Sequence, residues 1–186
     1  MGDSARQLAA AAVDTDALNR MRARLPAQEE LWLAVDQGAV AAYEQVRGEA
    51  RMARLGRDTE AAEKAEKRLA EARGGLEATG AVRWVVRSRG RRAYRELLHS
   101  DTCRPRDADH EEVRRLTGQP NARAQYNADQ WPYRLLELCC VEPAGVAAAE
   151  VREWVDDGRL SDGELERLVQ AAQRVHVGDR IVDLGK

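Results

Sequence analysis

The stretch AVRWVVRSRG, residues 81–90, changes the period of the chain. Val82, Trp84 and Val86 alternate with Arg83, Val85 and Arg87, the two-residue repeat of a short half-buried strand. On either side, apolar residues recur every three or four positions, which is the repeat of a helix. The fold class that follows is mainly α, with helical hairpins and one or two short β-strands.

Working outward from the strand, residues 26–99 read as a helical hairpin, the strand and a following helix. Pro26 suits a first helical turn, with Glu29 and Glu30 behind it. Ala39, Tyr43, Val46, Ala50 and Ala53 then form one apolar stripe, and residues 55–60 break the helix. A second helix starts at Thr59 with a thin seam of Ala62, Ala65, Leu69 and Ala72. Glu60–Lys64 and Glu63–Lys67 are favourable pairs on it, and Gly74-Gly75 and Gly80 end it. Thin alanine seams suit a helical hairpin or a partner helix better than a thick core. After the strand, Ala93, Tyr94, Leu97 and Leu98 mark another helix.

Residues 1–25 read as a weakly helical arm, with Leu8, Ala12, Leu18 and Met21 loosely spaced, ended by Pro26. Residues 100–124 read as a polar, variable linker with Pro105, Pro120 and one short helical piece. Residues 125–178 form a C-terminal helical unit, and 179–186 a tail. Within the unit, Asp129 and Pro132 start a helix that buries Leu135, Leu136, Cys139 and Cys140 on one face. Val146, Val151, Trp154 and Val155 make the next helix, stopped near Gly158. Ser161 and Glu164 form a capping box for the last, whose buried face is Leu165, Leu168, Val169, Ala172 and Val175.

Composition narrows the function classes. Charged residues are 33% of the chain and the net charge is only −2, so both signs are interspersed. No run approaches the roughly 20 apolar residues of a membrane span. The first residues are too polar for a secretory signal, and Arg6 stands where a myristoylation motif needs Ser or Thr. The expected location is the cytosol. Lys64, Lys67 and Lys186 are the only lysines, Ile181 is the only isoleucine, and phenylalanine is absent. That bias marks a GC-rich genome, so arginine richness here is partly mutational.

The chemical candidates are weak. Adjacent Cys139 and Cys140 lack the spacing of a zinc pair, and Cys103, His99, His110 and His176 add no ligand pattern. The cysteines read as small buried apolar residues. There is no nucleophile elbow, phosphate-cradling loop or zinc-protease motif, so no catalytic residue, metal or cofactor is assigned. The carboxylates of residues 153–166 lack calcium-loop spacing and read as a solvated face. Arg83, Arg87, Arg89, Arg91, Arg92 and Arg95, interleaved with Trp84 and Tyr94, could hold single-stranded nucleic acid. The plainer reading is a charged strand face and helix start.

Three motifs follow one another in the C-terminal unit: WPYRLL with VEP (residues 131–143), LSDGEL (160–165) and AAQRVH (171–176). Together with VRWVVRSRGRRAYRELL upstream, residues 30–178 resemble the tail assembly chaperones of long-tailed phages and prophages of actinobacterial hosts. Trp131 stands where that family usually has Phe, and His176 where it usually has Asn. The resemblance implies a protein that coats the hydrophobic tape-measure protein in the host cytoplasm and is absent from the mature virion. The implied partner is therefore a protein, with self-association open, and no membrane is involved. Trp131, Tyr133, Leu135, Leu136, Trp154, Leu165, Leu168, Val82, Trp84 and Tyr94 are the candidates for partner contact or structural anchoring. A nucleic-acid-binding regulator using the 83–95 arginines is the alternative.

Overall fold

The computed structural model describes residues 16, 18–33, 36–56 and 59–177. The readings of the arm before residue 16 and of the tail at 179–186 lie outside them. Residues 18–23 are helical and exposed, and 24–27 lead into a strand. The chain is mainly α with a small antiparallel sheet, as the residue pattern implies.

The sheet has the order β1 (Gln28–Leu33), β2 (Val82–Arg87), β3 (Cys140–Glu142). Between β1 and β2 the chain forms a helical hairpin, α1 (Gln37–Leu55) and α2 (Thr59–Ala78). After β2 come α3 (Gly90–Leu98), α4 (Asp107–Thr117) and α5 (Trp131–Cys139), which runs directly into β3. The chain closes with α6 (Ala148–Asp156) and α7 (Asp162–Val177).

Where Pro26 suggested a helix start, residues 28–33 are instead an edge strand. Its register with β2 pairs Leu31 with Trp84 and Trp32 with Arg83. Alternation then serves both faces: Leu31 and Leu33 join one core, while Glu30 and Trp32 turn to the other. The acids read as helix-dipole partners are ion-pair partners, Glu29 of Arg174 (2.6 Å) and Glu30 of Arg83 (3.2 Å). The helix begins later, at Asp36, whose side chain accepts from the backbone N–H groups of Gly38 (2.9 Å) and Ala39 (3.1 Å).

The sheet divides two cores. On one face α5, α6, α7 and α3 enclose Trp84, Val86, Trp131, Leu135, Leu136, Cys139, Val151 and Leu168. On the other, the hairpin packs Tyr43 and Leu76 on Trp32, with Leu69 and Ala72 alongside. The alanine seams that suggested a groove for a partner helix are spent on the hairpin itself: Ala50 is 1% exposed. Arg54–Glu66 and Arg68–Glu49 (2.9 Å) tie its two helices together. Helix α2 also runs through Gly74 and Gly75 to Ala78, and it is Gly80 (φ 81°) that turns the chain into β2.

Residues 100–124 are folded onto the C-terminal unit. The Asp109 carboxylate is 5% exposed and meets the Arg106 guanidinium (3.1 Å), the Arg106 N–H (2.8 Å) and the Ala128 N–H (3.2 Å). Arg106 also reaches Asp129 (2.6 Å), and the Asn127 N–H donates to the Cys103 carbonyl (2.8 Å). The Ser161–Glu164 capping box of α7 is reciprocal, at 2.9 and 3.3 Å. Helix α5 stops at Cys139, so Cys140 is a strand residue, yet both thiols remain on the core side.

Candidate functional site: an apolar groove beside the sheet

Two tryptophans build the floor of a groove of about 590 Å³. Trp84 lies on β2 and Trp154 on α6, and their rings meet edge to face with centroids 6.1 Å apart at 88°. Leu33 closes β1 at one side, Val82 opens β2, and Pro143 follows β3. Leu160 is set by the turn after α6: Gly158 takes φ 78°, and the Leu160 N–H donates to the Trp154 carbonyl (2.8 Å). Arg159 and Glu164 are the charged rim.

The groove can hold an apolar side chain or the ridge of a helix. Val82 is 48% exposed although its strand neighbours Trp84 and Val86 are buried. A β-branched apolar residue in that position leaves an apolar mouth to the site. No convergent set of polar groups lines the floor, so the arrangement supports contact rather than chemistry.

The candidate residues divide into two sets. Trp131, Leu135, Leu136 and Leu168 have no exposed surface and are interior anchors. Trp131 stacks on Tyr126 (5.1 Å, 17°) and meets the edge of Tyr94 (5.4 Å, 86°). Tyr94 in turn stacks on His176 (4.8 Å), which accepts the Arg89 N–H at Nε2 (3.1 Å) and bonds the Ala172 carbonyl through Nδ1 (2.8 Å). Tyr133 is half-buried beneath the Arg152 guanidinium (4.4 Å), and Leu165 packs at the margin of the core. Val82, Trp84 and Trp154 alone of the candidates line the groove. Leu33, Pro143 and Leu160 were not among them, since each comes from the end of an element or a turn.

Across the sheet lies a polar cluster. The Glu30 carboxylate accepts from the Trp32 indole (3.0 Å), the Tyr43 hydroxyl (2.7 Å) and Arg83 (3.2 Å), with Arg73 at 3.7 Å. Burial raises the Glu30 pKa, but the Arg83 and Tyr43 hydrogen bonds outweigh it and hold the group below the ordinary range. Burial and the bond to Glu30 push Tyr43 up. Four side chains converge on this one carboxylate inside the protein, which makes the cluster a brace between β1, β2 and the hairpin.

The arginines do not form one patch. Arg83 is bound to Glu30 and Glu142, Arg87 to Gln28 (3.1 Å), Arg89 to the Leu138 carbonyl (2.9 Å) and Arg92 to Glu96 (2.8 Å). Arg91 and Arg95 make no ion pair among the described residues. The thiols are buried, and burial pushes Cys139 up to about 12 and Cys140 to about 11. Among the described residues no group of three or more His, Cys, Asp or Glu side chains is placed to hold a metal, and no helix is long and apolar enough to cross a membrane.

Comparison with family models, with curated proteins and with solved structures finds no match for this chain.

Proposed function

We propose that this chain is a phage tail assembly chaperone that holds the apolar surface of a tape-measure protein until the tail tube polymerises around it. The observation that carries the reading is the tryptophan-floored groove with Val82 exposed at its mouth. A long helical partner presents a continuous apolar stripe, far more than the few hundred Å² that soluble surfaces tolerate. A shallow apolar groove covers one turn of such a stripe, and many copies along the partner cover the rest. Each contact is small enough to be displaced by tube subunits. On this reading the chain works in the host cytoplasm and does not enter the mature virion. The motif order of residues 131–176 supports the same class.

A nucleic-acid regulator draws less support, because four of the six arginines between 83 and 95 are engaged within the chain. The test is co-expression with the tape-measure protein encoded beside this chain, comparing the partner's soluble fraction with the parent chain, with Val82→Asp, and with no chain. The parent raises solubility, Val82→Asp returns it to the level without chain, and moderate salt leaves the complex intact. A partner equally soluble alone, or no complex at low or moderate salt, removes the chaperone assignment.

A further inference from the structure

We propose that the outer edge of β1 is a docking site for a short extended segment of a partner protein, which joins the sheet as a fourth strand. The Ser88 N–H donates to the Ala27 carbonyl (2.7 Å). In an antiparallel pair this bond fixes the parity: residues 27, 29, 31 and 33 exchange hydrogen bonds with 88, 86, 84 and 82. The N–H and C=O groups of Gln28, Glu30 and Trp32 therefore point away from β2. No strand lies beyond β1 in the sheet, and none of these six groups has a hydrogen-bond partner among the described residues. An edge of this kind is a template for another strand.

The edge forms the floor of a cleft of about 520 Å³. Val40, Glu44 and Arg47 of α1 make one wall, and Gly163 and Arg167 of α7 make the other. The absent side chain at Gly163 widens the cleft: a Cβ there would meet nothing within 4 Å. Only an extended backbone offers donors and acceptors at the spacing that Gln28, Glu30 and Trp32 require.

The recess selects the occupant. Paired strands sit about 4.8 Å apart, whereas a helix with its side chains is about 10 Å across. A second copy of this chain would bring its own two helical walls, and two recessed edges cannot close to pairing distance. A linear segment can. Its side chains alternate between the two walls, apolar where it passes Leu33 and Val40. Glu29, Glu44 and Arg47 are already ion-paired, and Glu164 is bound to Ser161. Arg167 forms no ion pair among the described residues, so an acidic residue facing α7 completes the match. This site adjoins the tryptophan groove, sharing Leu33 and Glu164 with it, and does not rest on the chaperone reading.

The experiment uses the full chain and a displayed library of random dodecapeptides, counter-selected against Gly163→Trp, whose new side chain enters the cleft. In the free chain, amide exchange at Gln28, Glu30 and Trp32 is about tenfold or more faster than at Glu29, Leu31 and Leu33. Selected peptides bind the parent, slow exchange at those three amides, and lose binding to Gly163→Trp, which melts no lower than the parent. N-methylation of alternate peptide amides abolishes binding in one phase and spares it in the other. Any of four results overturns the proposal: no peptide selected, equal binding to Gly163→Trp, unchanged exchange at the three amides, or protection of those amides already in the free chain. Protection that disappears on dilution assigns the edge to self-pairing and overturns it too.

Discussion

Replacing Trp131 separates two costs that usually travel together. The side chain has no exposed surface, lies flat on Tyr126 and meets the edge of Tyr94. Trp131→Ala empties this site and loses about 3–5 kcal/mol, with both ring contacts placing it toward the upper end. Trp131→Phe behaves differently, because the buried indole Nε1 has no hydrogen-bond partner. The substitution removes roughly 40 Å³, which at about 24 cal/mol per Å³ costs about 1 kcal/mol. It also removes an unsatisfied buried donor, a penalty of about 1–3 kcal/mol. The two terms oppose each other, so Trp131→Phe stays within about 1 kcal/mol of the parent or gains slightly. Urea unfolding followed by far-ultraviolet circular dichroism measures all three chains without relying on tryptophan emission. If Phe costs as much as Ala, the indole N–H has an acceptor and the reasoning is refuted.

The thiols of Cys139 and Cys140, held protonated by burial, do not react with a chromogenic disulfide reagent at pH 8 until the chain unfolds; prompt reaction in the folded state would contradict their placement. Cys139→Ala with Cys140→Ala costs roughly 1–3 kcal/mol and leaves partner binding intact, measured by urea melts and co-purification. Asp109→Ala strips the Ala128 N–H of its acceptor, leaves Arg106 with Asp129 alone and costs about 2–3 kcal/mol. The hydrogen bond from Arg106 holds the Asp109 pKa down to about 2, so its stabilisation is whole above about pH 4 and is lost as pH falls toward 2. An acid titration of the parent and of Asp109→Ala checks this, since the variant lacks that part of the acid transition. Glu30→Gln leaves Arg73 and Arg83 facing a neutral amide and lowers stability by about 2 kcal/mol in the same urea assay.

How much of this was legible follows from the range of each signal. β2 was, because Val82, Trp84 and Val86 alternate within six residues. The α5 and α7 cores were, because Leu135, Leu136, Leu168 and Val175 keep helical spacing. β1 was not: Gln28-Glu29-Glu30 looks like a helix start until β2, some fifty residues on, pairs with it. β3, at three residues, is too short to carry a period. The alanine seams showed which faces of α1 and α2 are apolar and suited a hairpin or a partner helix alike; which of the two they serve is decided by packing that no local pattern carries. The groove was half legible. Val82, Trp84 and Trp154 stand out as large apolar residues, while Leu33, Pro143 and Leu160 join them only through long-range adjacency.

Leu33 and Val82 are register partners, so residues 34–81 leave the sheet and return to it at one place. The helical hairpin is in effect an elaborated turn between two neighbouring strands. Its length can change by whole helical turns at both arms without moving either strand, since closing a longer loop costs only about 0.6 kcal/mol per doubling. The brace around Glu30, the packing on Trp32 and the α1 wall of the edge cleft are tied to its base. Evolution can therefore lengthen, shorten or trade this arm while the tryptophan groove stays where it is. The tryptophan groove and the far end of the hairpin are mechanically decoupled.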